Sequence, residues 1–378
     1  TVVDIQGMKS TGSLKSWSSE SLTISSTPER EFRRHEIRSV LFDPPPGKPP
    51  GIQAAVWLSN GDQISARPVS IADDQLVASW PVRRESSSLK IPLEHVRALI
   101  FEWPTDLDER LRLIADLQTL PPGNDLVMLT NGDRSLGTLE RLDAAHVELK
   151  VATNTLKLDR SRVRAIRMNP ELTADVRHPE KRAIFAFTDG SQLAATSISL
   201  TDELLSLHSP LLNDVTLPIN VVQSCHLFGD ALIPLSDYEP TKIEFTPYLS
   251  AKWPLIRNAN VRRGPLKLRG NSFPTGLGMH SQMVVTYNLK GGERSFQATV
   301  GIDDIAEGKG SAVFVVELDG RRVWTSTELT GRSLAVSFPA IDLQGAKQLT
   351  LLVEFGQLAD VCDYADWCDA VLILDPAR

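Results

Sequence analysis

Short apolar runs of strand length alternate along the chain with clusters of Gly, Pro, Asn and Asp, the punctuation of a β protein. Four segments share one pattern: an apolar strand, a glycine-centred turn, a second strand and a closing apolar cluster. The turns read Ile5-Gln6-Gly7, Ser59-Asn60-Gly61-Asp62, Thr130-Asn131-Gly132-Asp133 and Thr188-Asp189-Gly190. Asn-Gly and Asp-Gly accept the positive φ of tight hairpin turns, so these turns predict hairpins. Downstream of each glycine comes an apolar residue, respectively Phe32, Ile91, Leu158 and Leu217. Five positions on stand Ile37, Val96, Val163 and Val222, and three beyond those Val40, Leu99, Ile166 and Cys225. A register kept four times defines a repeat.

The repeats span roughly 1–43, 52–102, 125–168 and 182–228. Pro44-Pro45-Pro46-Gly47-Lys48-Pro49-Pro50-Gly51 reads as a stiff linker between the first two. A linker over 103–124 separates the second and third. In it Leu107, Leu111, Ile114 and Leu117 recur on one helical face over Asp106–Leu117, with Thr105 as cap and Pro121-Pro122-Gly123 as stop. Units of this size fit a string of small Sm-like or SH3-like barrels, or a four-bladed propeller; unequal linkers suit barrels better. Cys225 occupies a position filled elsewhere by Val, Leu and Ile, so it reads as a buried hydrophobe. His226 beside it would point to the opposite strand face, which excludes a Cys–His pair there.

Composition bounds the rest. Hydrophobic residues are 42% and charged residues 23%, which excludes wholesale disorder. No run approaches the ~18 apolar residues of a spanning helix. A net charge of −7 argues against nucleic acid as the main partner. A chain that opens at Thr1 is consistent with export to the periplasm, cell surface or medium after removal of a signal peptide. Three cysteines are too few for a disulfide-built scaffold.

From about Tyr238 the character changes. Strands are expected at Val284–Leu289, Ser295–Val300, Ala312–Leu318, Val323–Thr325, Gln348–Phe355 and Ala370–Leu374, with hairpin turns at Lys290-Gly291-Gly292 and Asp319-Gly320. An antiparallel jelly-roll β-sandwich over 238–378 is the economical reading, making the whole chain all-β. Ordered motifs follow one another here. They are Gly276-Leu277-Gly278-Met279-His280-Ser281, Thr286-Tyr287-Asn288-Leu289, Ala298-Thr299-Val300-Gly301-Ile302-Asp303-Asp304, Gly310-Ser311-Ala312-Val313-Phe314, the Asp319–Trp324 hairpin, Ala346–Leu351 and Asp363-Tyr364-Ala365-Asp366-Trp367-Cys368-Asp369-Ala370. Together they resemble the NPCBM/NEW2 module, a carbohydrate-binding family grouped with the family 51 carbohydrate-binding modules. The repeats before it resemble those that accompany such modules in secreted planctomycete-type proteins.

The resemblance implies a non-catalytic, glycan-recognising sandwich, in some members with calcium. Tyr364 stands where the pattern has His, and Cys368 where it has Ala, which puts the ligand in doubt. Sugar recognition needs an aromatic face and several polar groups. Asp363, Tyr364, Asp366 and Trp367 supply that set in one short segment, and His280 is the domain's one imidazole. The alternative for Trp367 is a place in the core. Asp303 and Asp304 are the candidate calcium ligands. In an exported chain Cys362 and Cys368, flanking the expected binding loop, are placed for a loop-closing disulfide. Basic residues cluster over 252–269 and acidic ones over 360–375, which could meet an acidic glycan or each other. No Ser-His-Asp or Cys-His signature appears. A different class of function, an envelope-assembly subunit contacting other proteins or itself, remains open.

Overall fold

The computed structural model describes residues 1–43, 54–67, 69–83, 88–119, 123–248 and 251–375. The proline-rich segment 44–51 and Pro121-Pro122 lie outside the described residues. The chain forms two compact units, Thr1–Leu227 and Phe228–Arg378.

In the first unit each repeat opens with a hairpin, as in Ala55–Leu58 with Gln63–Ser65 and Arg182–Phe187 with Gln192–Ala195. A three-stranded antiparallel set follows, which in the third repeat shares the hairpin's long second strand Arg134–Leu142, and then a single 3-10 turn, at Arg34–Glu36, Leu93–His95, Arg160–Arg162 and Ile219–Val221. Each turn leads into a closing strand: Ile37–Leu41, Val96–Ile100, Val163–Arg167 and Val222–Phe228. These closing strands pair antiparallel in couples, first with fourth and second with third. The recurring apolar positions themselves are the partners, Val40 opposite Cys225 and Leu99 opposite Ile166. The second and fourth repeats join through their hairpins, Gln63 opposite Gln192. The result is one 14-stranded sheet with the repeats in the spatial order third, second, fourth, first. Of the twelve recurring apolar residues all but Leu158 are buried, and they share one continuous core. Cys225 is fully buried, which pushes its thiol well above the ordinary range.

The linker helix, α1, runs Leu107–Thr119. Its cap is Asp106, whose Oδ1 accepts the Glu109 N–H at 2.9 Å; Thr105, the expected cap, lies one residue too early. Leu111, Ile114 and Leu117 of the expected face are buried, and Leu113 widens it: Leu113 and Leu117 pack on Ala55, Ala98, Ile100, Leu126 and Ala165.

The second unit is a sandwich of two antiparallel sheets. Six strands carry it: β1 (Gly276–His280), β2 (Met283–Asn288), β3 (Glu293–Ile302), β4 (Ser311–Leu318), β5 (Gln348–Phe355) and β6 (Tyr364–Leu374). One sheet has β1, β6 and β3 adjacent, and the other β2, β5 and β4. Neighbours in space are thus distant in sequence, as in jelly rolls. Strand alternation sends Leu277, Met279, Phe296, Ala298, Val300, Ala365 and Trp367 inward against Met283, Val285, Tyr287, Phe314, Val316, Leu351 and Val353. The outer face of β6 is covered by the hairpin Leu266–Leu268 with Asn271–Phe273, where Leu266 and Leu268 pack on Cys368.

Candidate functional site

β1 ends at His280 and β6 begins directly opposite it, at Tyr364. β1 can lie this deep because Gly276 and Gly278 lack side chains. A Cβ on Gly278 would sit 2.4 Å from the Ala259 carbonyl oxygen, and one on Gly276 2.4 Å from that of Trp367. The segment before the Ile256–Arg257 strand then lays Trp253 flat on His280, ring centroids 4.7 Å apart and planes within 3°. Tyr364 stands edge-on to Trp253 at 5.8 Å and 6.0 Å from His280. The Arg262 guanidinium lies 6.0 Å and 5.8 Å from the Trp253 and Tyr364 ring centres, within cation–π reach.

His280 is only 2% exposed, so it is the floor beneath Trp253 rather than an open surface. Its Nδ1 meets the Ser281 carbonyl at 2.8 Å; a carbonyl only accepts, so Nδ1 carries the proton. Burial pulls the imidazole below its usual pKa, leaving it neutral. Burial likewise raises Tyr364, which keeps its phenolic proton. The cluster therefore offers a half-buried indole plane, a phenol hydroxyl and a guanidinium. That combination stacks on the C–H face of a ring and hydrogen-bonds its hydroxyls.

Three expected contact residues are elsewhere. The last strand starts at Tyr364, not Ala370, so alternation along β6 fixes the directions of Asp366 and Trp367. Trp367 is fully buried in the core, edge-on to Phe314 at 5.4 Å. Asp363 is a buried brace: its oxygens accept the Ser281 hydroxyl at 2.5 Å and the Ser311 N–H at 2.8 Å, and burial pushes its pKa up to about 6. Asp366, also fully buried, faces Asp303 under the covering hairpin. Asp303 accepts from Asn260, Lys267 and Ile305, whereas neither Asp366 oxygen meets a donor. Asp366 is thus held far above the usual carboxylate range by burial and by Asp303, so it is the protonated partner.

The oxygens of Asp304 accept the Arg269 and Gly270 N–H groups at 2.8 and 2.7 Å. Asp303 and Asp304 therefore tie down the hairpin. Among the described residues no group of three or more His, Cys, Asp or Glu is placed to hold a metal ion. The expected disulfide is not formed, and Cys362 and Cys368 are free thiols. Extended strand from Tyr364 to Cys368 already spans ~13 Å, beyond the roughly 4–7 Å between the Cα atoms of a disulfide. Sequence reasoning missed Trp253 as a site residue and read Arg262 only as part of a basic patch. The available signal was a tryptophan in a polar segment with no strand alternation around it.

Residues 233–373 match the NPCBM/NEW2 domain. The match falls in the second unit. Over 106 residues, 28% of its length, the chain is 36% identical to a Renibacterium salmoninarum protein provisionally named endo-alpha-N-acetylgalactosaminidase. The chain spans 7% of that protein's length. Among solved structures, CBM51 from Clostridium perfringens GH95 in complex with methyl-galactose is 24% identical, with 37% of this chain and 99% of that one covered and a TM-score of 0.34. CBM51-2 with GlcNAc and INT domains from Clostridium perfringens ZmpB is 20% identical over 47% of this chain and 37% of that one, TM-score 0.35.

Proposed function

We propose that the NPCBM/NEW2 unit of an exported protein binds a glycan without cleaving it, through Trp253, Tyr364 and Arg262 over a His280 floor. The observation that carries this reading is the half-buried Trp253 plane stacked on His280 inside a carbohydrate-binding family's domain. The core tryptophan and the buried carboxylates are its support. The test is a broad glycan array probed with the full chain, in calcium and in chelator, beside the Trp253→Ala variant. Selective binding that disappears with the indole supports the reading. A folded protein that binds no glycan overturns it.

Assembly is the second reading, and one observation favours it. The 14-stranded sheet ends on two outer strands, Lys9–Ser10 and Asn154–Asp159, and such edges can pair with another chain. Concentration-dependent association of the full chain by light scattering is its readout.

A further inference from the structure

A second concavity in the sandwich unit has chemistry of its own. It encloses about 440 Å³ and is lined by Gly308, Lys309 and Gly310 before β4, Thr330 and Arg332, and Leu358 with Val361 ahead of β6. That volume lies within the range of small-molecule sites. Two of its lining residues carry charge, and both are cations. Lys309 and Arg332 are exposed, and neither makes an ion pair among the described residues. Leu358 and Val361 are 53% and 56% exposed, so they give the concavity an apolar wall.

The walls are fixed rather than loose. Gly310 sits at φ +82°, and a Cβ there would meet the Cys362 carbonyl oxygen at 2.2 Å. A Cβ on Gly331 would meet the Lys309 carbonyl oxygen at 2.1 Å. Glycine lets the three loops close on one another, so the cavity exists before any ligand arrives and ordering costs little on binding. Two cations unpaired among the described residues, beside an apolar wall, fit a ligand that has a negative group at one end and C–H or methyl surface at the other.

We infer that this cavity is a binding site for an acidic sugar residue, its anionic group held by Arg332 and Lys309 and its apolar side against Leu358 and Val361. A planar guanidinium with its donor fork suits a carboxylate or a sulfate alike. That the anion rides on a sugar rests on the glycan-binding reading above; the cavity itself does not depend on Trp253.

The experiment is calorimetric titration of the full chain with three forms of one oligosaccharide: neutral, carboxylate-terminated and sulfated. The expected result is at least tenfold tighter binding of an acidic form, weakening as salt is raised. Arg332→Ala with Lys309→Ala should remove that preference and leave the neutral sugar's affinity unchanged. Arg332→Lys should restore part of it. Preference for carboxylate over sulfate, or the reverse, identifies the anionic group. Equal affinity for all three forms, or a preference that survives the double variant, overturns the inference while the Trp253 site stands. Acidic-sugar binding that Trp253→Ala leaves intact, with no neutral sugar bound, supports the cavity and removes the Trp253 reading. Competition by inorganic sulfate as strong as by the acidic sugar overturns the sugar assignment.

Discussion

Trp253 keeps a large apolar plane half in solvent while its other face rests on a neutral imidazole. Removing that plane should lower glycan affinity at least tenfold with little change in melting temperature, since the side chain is not part of the core; calorimetry and a thermal melt check both halves. Asp366 should behave in the opposite way. Its pKa is raised in the fold, so its contribution to stability is complete at pH below the ordinary carboxylate range. It is lost as pH climbs and the unfolded chain ionises freely. Asp363, pushed up to about 6, adds a slope of the same sign between about pH 4 and 6. Asp366→Asn, which keeps a neutral donor toward Asp303, should therefore raise the melting temperature more at pH 7 than at pH 4. An equal shift at both would show that Asp366 is ionised in the fold. At this scale the sequence showed that His280 and Tyr364 belong together, through their place in ordered motifs. It could not show which way Asp363, Asp366 and Trp367 point, because direction depends on where the strand begins.

Elements were the most legible level. Hairpin turns, five of the six long strands of the sandwich and the linker helix announce themselves through periodicity and turn chemistry; Gly276–His280, with its two glycines, does not read as a strand. The exceptions have physical causes. Tyr364 and Asp366 before an apolar run look like a loop, yet β6 runs through them, with Asp366 buried under the covering hairpin and Asp363 bracing the residue before the strand. The helix cap fell one residue later than expected because an Asp carboxylate outcompetes a Thr hydroxyl for the free N–H groups of the first turn. Asp106→Ala should cost ~1 kcal/mol in chemical denaturation. Gly278→Ala should be far worse, since its methyl would land on backbone at 2.4–2.5 Å, and the displaced 259–261 segment would carry Arg262 with it. Loss of glycan binding in a variant whose core still melts cooperatively would confirm that order of effects.

At the scale of the whole first unit, twelve equivalent apolar positions were visible in the chain, but not that they would pair with each other across repeats. Leu99→Ala should cost ~2–5 kcal/mol as a core truncation. Because Leu99 faces Ile166 in a shared sheet and core, the loss should appear across the whole 1–227 unit, and hydrogen exchange would show it in all four repeats at once. The spatial order of the repeats has a further consequence, for the newborn chain. A solenoid can be stabilised link by link as it is synthesised, each new repeat capping the last. Here Val40 waits for Cys225: the first repeat's closing strand can pair with Val2–Asp4 at once, but its other edge stays unpaired until the fourth repeat has been made. Contacts of such sequence separation form slowly. A ribosome releasing this chain therefore hands over a unit that closes last at its own beginning, and a truncation anywhere in the fourth repeat should leave the first one open.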